Sequence, residues 1–221
     1  MTEVPSAGEI LTSLDTITNE ATALAVVWHA VVFVVFAAVA AGSRLRRRTL
    51  AWLSLLPLLS VSAVGYFYEV FFNCFVFAAI TAALVFLSPR GGDEEVHRGP
   101  GWAVVLGSML LAFAWTYPHF LDSSRSPFAY LYAAPMGLIP CPTLALVAGV
   151  TLITGASTGT RSAVIVAVAG LFYGLVGMVK LGVEIDAVLV AGSLGLIALA
   201  LGRATSTPRV ATERPDARMA K

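Results

Sequence analysis

The sequence predicts an all-α integral membrane bundle of about seven transmembrane helices, the fifth of them broken by prolines. Of the 221 residues, 58% are hydrophobic and only 12% are charged, about half the charged share of a soluble domain. Seven membrane helices of about 20 residues would use about 140 residues, close to this apolar content. With a net charge of +1, the chain has no basic excess for nucleic acid. The composition therefore excludes a soluble enzyme and a nucleic-acid-binding domain.

The apolar spans follow one another at the spacing expected of membrane helices. In chain order they cover residues 22–41, 49–66, 70–87, 102–117, a fifth within 128–154, 162–179 and 185–202. We take residues 22–202 as the transmembrane domain.

The two ends of the chain are predicted to lie outside this domain. In residues 1–21, Ile10, Leu14 and Ile17 recur at helical spacing. This extracytoplasmic segment is either an interfacial amphipathic helix or a frayed leader. Residues 203–221 are rich in Pro, Thr, Arg and Ala, and we expect a disordered cytoplasmic tail.

Basic residues set the predicted orientation. If the N-terminus is outside, 12 of the 14 lysines and arginines fall in cytoplasmic segments, and only Arg125 and Lys180 remain outside. Such a bias is what the positive-inside rule describes. The sequence therefore predicts a multi-pass protein of the cell's inner (plasma) membrane, with its N-terminus outside and its C-terminus in the cytoplasm.

Polar side chains within membrane spans are candidate functional groups, because burying them in lipid is costly. Tyr66, Glu69 and Asn73 have a spacing that could place them on one helix face if the third helix starts early. His29 lies about 9 Å along the first helix from its outer end. A histidine at this depth needs a partner, and both a structural hydrogen bond and a ligand role are open.

Further polar residues gather where the fourth span ends and the seventh begins. Trp115 and Tyr117 are typical of an aromatic belt, and His119 of an interfacial loop. Asp186 opens the last helix beside Glu184. It is either a binding residue or part of a solvated turn that caps that helix.

The fifth span contains Pro135, Pro140 and Pro142 within eight residues, which one regular helix cannot hold. The residue before each proline, Cys141 among them, is pushed towards extended geometry. A helix that restarts at Pro142 would place Cys141 at its N-cap and Thr143 in its first turn. Irregular backbone at membrane depth lines a cavity or is buried in protein, and broken helices mark binding sites in transporters.

A soft-metal site is an alternative use of the same region. Thiol, thioether and imidazole groups would suit copper(I), zinc or mercury, and the residues that could supply them are Cys74, Cys141, Met136, Met178, His29 and His119. No pair has tight Cys-x-x-Cys spacing, and Cys and Met are also ordinary packing residues. The two cysteines could form one bridge or stay independent thiols.

Other patterns point to packing rather than chemistry. Gly170 and Gly174 form a Gly-x-x-x-Gly pattern with Gly177 one turn on, which permits close helix contact within the protomer or in a dimer. The sequence has no nucleophile elbow, zinc-protease motif or phosphate-binding loop. We therefore expect no cofactor, and enzymatic activity is less favoured than binding.

The stretch Gly137-Leu138-Ile139-Pro140-Cys141-Pro142-Thr143, which leads into an apolar helix, resembles a bacterial membrane family. This family is catalogued as domain of unknown function 6064. Residues 177–192, with Asp186 at the start of the last helix, and Asn73 near the start of the third are also similar. The resemblance implies a small polytopic bacterial protein without an established activity, with Pro140, Pro142, Thr143 and Asp186 as shared positions.

The leading functional hypothesis is a small transport or solute-binding membrane protein with an outward-facing site at the broken helix. Its candidate ligand-binding residues are His29, Glu69, Asn73, Pro140, Cys141, Pro142, Thr143 and Asp186. The expected partners are the lipid bilayer and a small solute or soft metal ion, with a homo-oligomer or membrane partner as a further option and no nucleic acid. One alternative is a non-catalytic membrane subunit or assembly partner. Another is an intramembrane enzyme in which Cys141 is the nucleophile and His29 or His119 the base.

Overall fold

A computed structural model describes residues 5–87 and 94–206, which are helical and contain no β-strand. The helices are α1 (Ala7–Glu20), α2 (Thr22–Ala40), α3 (Arg47–Phe67), α4 (Phe71–Leu87), α5 (Gly101–Thr116), α6 (Tyr130–Ala133), α7 (Pro140–Ile153), α8 (Thr160–Leu175) and α9 (Ala187–Ser206). Single 3₁₀ turns precede α6 at Pro127–Ala129 and α9 at Glu184–Asp186, and α8 continues into a π-helical turn at Val176–Lys180.

Within residues 5–87 and 94–206, four helical segments are long and apolar enough to cross a membrane. They are Thr22–Ala40, Arg47–Phe67, Thr160–Lys180 and Glu184–Thr205. The other apolar helices are α4, α5 and α7. At 1.5 Å per residue, the 14 residues of α7 rise about 21 Å, less than the 30 Å of a hydrocarbon core. The all-helical class is therefore confirmed, with four candidate membrane-spanning segments among the described residues, and the count of about seven crossings stays a prediction.

Hydrogen bonds tie the arginine-rich segments together at one end of the bundle. Val96 N–H donates to the Leu45 carbonyl at 3.1 Å, and Gly99 N–H donates to the Ile153 carbonyl at 2.7 Å. Arg203, near the end of α9, donates to the Gly155 carbonyl. We call this the basic end. The opposite end, where α2 and α9 begin and α3 and α5 finish, is the Asp186 end.

Helix α7 forms the centre of the bundle and is packed by α3, α5, α8 and α9. Most of its residues are buried. At the crossing of α5 and α7, a Cβ on Gly107 would lie 2.6 Å from the Gly149 carbonyl oxygen, and a Cβ on Gly149 would lie 2.7 Å from that of Gly107. Only glycine allows these two backbones to approach so closely.

The N-terminal segment is helical over α1. Ser6 is its N-cap and forms a capping box with Glu9: the Glu9 N–H donates to Ser6 Oγ at 3.3 Å and the Ser6 N–H donates to Glu9 Oε2 at 2.7 Å. Leu14 and Ile17 are buried on one face. This segment is therefore helical, which is one of the two alternatives that the sequence left open; the other was a frayed leader. At the other end, α9 runs through residue 203 to Ser206, and most of the predicted tail, 207–221, lies outside the described residues.

The prediction that Tyr66, Glu69 and Asn73 share one helix face is wrong. Tyr66 belongs to α3, Asn73 to α4, and Glu69 lies in the turn between them with a φ of 59°. The turn is tight because Gly65 faces the backbone of Cys74, where an added Cβ would lie 2.8 Å from the Cys74 nitrogen. The third span therefore starts after Glu69, whose side chain is exposed.

The proline break is present, and the helix that follows it starts two residues earlier than predicted. Helix α6 stops before Ala134, which is extended at ψ 146°, and α7 begins at Pro140 after the extended Ile139. The prediction that Cys141 is an extended N-cap is wrong, because Cys141 lies in the first turn of α7. Both Pro140 and Pro142 fit there, since the first four N–H groups of a helix have no intrahelical partner in any case.

Candidate functional site

Asp186 is the acidic residue that the fold buries. Its exposed fraction is 1%, and it is the only acidic residue among the buried polar residues of the described chain. The Tyr117 hydroxyl, at the end of α5, donates to Asp186 Oδ1 at 2.9 Å. The Cys141 side chain lies beside Asp186 and interacts with it electrostatically. The solvated-turn alternative for Asp186 is therefore wrong, whereas its neighbour Glu184 is exposed.

The backbone around Gly177 makes the room that the Asp186 carboxylate occupies. An added Cβ on Gly177 would overlap Asp186 Oδ2. Gly177 lies in the π-helical turn Val176–Lys180, and its carbonyl accepts a hydrogen bond from the Val183 N–H at 2.9 Å. π-Helical turns are rare and are frequently found at functional sites. The last glycine of the small-residue pattern is thus part of the carboxylate's pocket.

Asn73 joins the same region through a tyrosine. The Tyr173 hydroxyl donates to Asn73 Oδ1 at 3.1 Å, and Cys141 Sγ lies 3.9 Å from the Tyr173 carbonyl oxygen, which can accept from the thiol. Contacts therefore run from Asn73 through Tyr173 and Cys141 to Asp186 and Tyr117. We call these five residues the Asp186 cluster. They come from α4, α8, α7, the 3₁₀ turn before α9 and the end of α5.

An open cleft of about 470 Å³ lies next to the cluster at the same end of the bundle. Leu11, Thr12 and Asp15 of α1 form one side of it. The other side is the loop 118–121, which directly follows Tyr117. His119 in this loop interacts electrostatically with Asp186. The loop therefore separates a polar surface cleft from the buried carboxylate.

Asn19 of α1 holds this loop in place. Its side-chain amide donates to the Phe120 carbonyl at 2.9 Å and accepts from the Asp122 N–H at 3.0 Å. Phe120 adopts a φ of 70°, a left-handed conformation that is uncommon for a residue other than glycine. The Ser124 N–H donates to Asp122 at 2.9 Å and holds the pKa of that carboxyl below its usual value. These contacts fix a strained loop over the cluster.

Other predicted site residues have structural contacts instead. His29 is buried, with Nδ1 2.9 Å from the Ala25 carbonyl oxygen and Nε2 3.0 Å from that of Trp115, so it ties α2 to the end of α5. The Thr143 hydroxyl donates to the Ile139 carbonyl at 2.7 Å and accepts from the Gly137 N–H at 2.9 Å. The Thr143 side chain therefore links the first turn of α7 to the irregular segment between α6 and α7.

Pro140 and Pro142 are buried at the start of α7. They act through the backbone, because they place Cys141 next to Asp186. Of the eight predicted residues, the structure thus brings Asn73, Cys141 and Asp186 together with the two prolines beside them. It leaves Glu69 at an exposed turn.

The soft-metal alternative receives no support from the described residues, in which no three His, Cys, Asp or Glu side chains are close enough to hold a metal ion. Both cysteines are free. Cys74 packs against α3, where Ser62 Oγ donates to its carbonyl at 2.8 Å. Met136 is fully buried in the core.

Sequence reasoning missed Tyr117, Tyr173 and Gly177 as members of the site. Tyr117 has the position of an aromatic-belt residue, yet its exposed fraction is 1%. Tyr173 and Gly177 lie within or next to the Gly-x-x-x-Gly pattern, which indicates helix packing. One signal could have indicated Tyr117. A buried tyrosine hydroxyl needs a hydrogen-bond acceptor, and Asp186 at the start of an apolar helix could serve as one.

No protein-family model, curated protein or solved structure matches this chain.

Proposed function

We propose that this protein is a bacterial plasma-membrane protein of about seven crossings that binds, and exchanges across the membrane, a small cation or a solute with a cationic group. The binding site is the Asp186 cluster, and it faces the outside of the cell through the cleft beside α1. The observation that carries the proposal is a carboxylate buried beside the first turn of α7, where the broken helix restarts, with the Tyr117 hydroxyl as its hydrogen-bond donor and the Cys141 thiol next to it.

The charge of the cluster favours a cationic ligand. An ionised carboxylate buried in a membrane protein is costly unless a positive charge or hydrogen-bond donors offset it. The Tyr117 hydroxyl supplies a donor, and the N-termini of α7 and α9 lie next to Asp186 and add partial positive charge. These groups reduce the free-energy cost of burying the ionised carboxylate. A bound cation would offset the rest of that cost. The arrangement therefore suits reversible binding.

The orientation follows from the ends of the bundle. The structure joins residues 43–47, 94–100 and 153–157 at the basic end, and the positive-inside rule assigns such an end to the cytoplasm. The Asp186 end, with α1 and its cleft, is then extracytoplasmic.

One of the two features that favoured the subunit alternative, the small-residue pattern of α8, has a packing role within the chain. Gly170 faces Ser193, Gly174 faces Val190 and Gly177 faces Asp186. The small-residue stripe of α8 therefore packs against α9 and the turn before it within one chain.

The test compares thermal unfolding of the full-length protein in mild detergent, over a pH series and with Na⁺, K⁺, Mg²⁺ and methylammonium. Three proteins are compared: wild type, Asp186→Asn and the exposed-neighbour control Glu184→Gln. A ligand at one hundred times its Kd adds about 2.7 kcal/mol to the folded state. We expect at least one of these cations to stabilise wild type and Glu184→Gln but not Asp186→Asn. The same response in all three proteins would contradict the proposal.

A further inference from the structure

A second cavity lies at the basic end, away from the Asp186 cluster. It is a groove of about 520 Å³ between α2, α3, α5 and α7. Its walls are almost entirely apolar and include Val35 and Phe36 of α2, Leu53 of α3, Leu111 of α5 and Val150 of α7. We call it the α2 groove.

Helix α2 leaves this groove open because it packs loosely on the bundle. Only 11% of its spanning segment is buried. Its contacts are concentrated near its N-terminus, where the Trp28 Nε1–H donates to Ser60 Oγ at 3.0 Å and His29 contacts the Trp115 carbonyl. The Trp28 ring also covers Gly137, where a Cβ would overlap the indole. The groove is thus closed at Trp28 and continues along α2 to Val39.

The dimensions of the α2 groove match a hydrocarbon chain. The stretch of α2 from Trp28 to Val39 rises about 16 Å at 1.5 Å per residue. Val31, Phe36 and Val39 line the groove and are still 37%, 43% and 42% exposed. A chain that fills the groove gains packing contacts with its walls and no hydrophobic transfer energy, because bilayer hydrocarbon is already apolar.

The mouth of the α2 groove is polar and carries positive charge. Arg44, Arg98, His97 and Glu95 line it at the basic end. Glu95 pairs with Arg44 at 2.7 Å, and both side chains are largely exposed. Two arginines against one carboxylate leave a net positive charge, with Arg98 exposed beside the opening.

We propose that the α2 groove binds an anionic phospholipid of the leaflet at the basic end. One acyl chain lies along α2 as far as Trp28, and the phosphate lies at Arg98 and Arg44. The apolar wall selects the chain and the basic mouth selects the charge, as in other basic pockets between membrane helices. The groove and the Asp186 cluster lie at opposite ends of the bundle, so this site is separate from the proposed cation site.

Native mass spectrometry of the full-length protein tests the occupant. Phosphatidylglycerol, phosphatidylcholine with the same chains, and oleate are each added to delipidated protein. We expect phosphatidylglycerol to be retained at least fivefold more strongly than phosphatidylcholine, since one arginine near an anionic headgroup contributes about 1 kcal/mol. Equal retention of the two phospholipids, or preference for oleate, would overturn the proposal.

Two pairs of variants test the location. Val35→Trp fills the groove, whereas Val34→Trp places the same ring on the neighbouring residue, which is 63% exposed and does not line the groove. Arg98→Gln removes a charge from the mouth, and Arg161→Gln removes an exposed arginine elsewhere at the basic end. We expect Val35→Trp to abolish retention and Arg98→Gln to weaken it about fivefold, with both controls unchanged. If the control variants lost as much phosphatidylglycerol retention as the groove variants, the assignment would be contradicted.

A photoreactive lipid needs no variant and covers the case in which Val35→Trp fails to fold. Phosphatidylglycerol with a diazirine near the end of one acyl chain is bound to wild type and irradiated. We expect crosslinks on α2 near Trp28 and on the facing part of α7. Crosslinks confined to the lipid-exposed surfaces of α4 or α9 would overturn the proposal.

Discussion

At the residue scale, Asp186 and Gly177 depend on each other. The carboxylate is buried because the π-helical turn after α8 leaves a space with no side chain at Gly177. A buried carboxylate without its partners would be strongly destabilising. The Tyr117 hydroxyl, which donates to this carboxylate, is therefore as necessary to the fold as it is to the proposed site.

Gly177→Ala is predicted to disturb this pocket. The added methyl group overlaps Asp186 Oδ2, so the carboxylate or the π-turn must move. Overpacking of this kind costs about 1–3 kcal/mol, and we expect a corresponding loss in the free energy of unfolding in detergent. The control is Gly101→Ala at the start of α5, where a Cβ meets nothing within 4 Å. Equal stability of the two variants would show that Gly177 is not a tight position.

At the scale of single elements, the proline break shows what the sequence could and could not predict. Three prolines within eight residues predicted the interruption, and the structure has it between Ala133 and Pro140. The starting residue of α7 was missed because two prolines fit in one first turn. The hydroxyl of Thr143 then closes the turn through Gly137, a contact that no spacing rule indicates.

Helix α1 should respond to pH through its capping box. The Ser6 hydroxyl and N–H donate to the Glu9 carboxylate and hold the pKa of Glu9 below its usual value. Because the folded pKa is below the unfolded one, the stabilisation is complete above about pH 4.3 and is lost as pH falls through the folded pKa.

We therefore expect the first turn of α1 to fray in acid. As pH falls, its amide hydrogen exchange should become faster relative to that of α5 in the same sample. In Glu9→Gln the exchange, corrected for intrinsic pH dependence, should not change over this range. A variant with the same acid response as wild type would contradict a role for Glu9.

At the scale of the whole molecule, periodicity and charge predicted the architecture better than the chemistry. The apolar spans appear as helices close to their predicted bounds, and the arginine-rich segments meet at one end. Tyr117 and Tyr173 could not be assigned, because their partners are separated from them by 69 and 100 residues in sequence. Only the packing of α5, α8 and α9 around α7, together with that of α4 on α8, brings these groups together.

The central claim is that the Asp186 cluster is reached from outside the cell, past the loop that Asn19 holds. The most direct measurement is labelling of Cys141 in intact cells with a membrane-impermeant thiol reagent, in a Cys74→Ser background. We predict slow labelling that becomes faster when Asn19→Ala removes the contacts to Phe120 and Asp122. Labelling only after denaturation, with or without Asn19→Ala, would contradict the account and would show that the cluster is sealed packing.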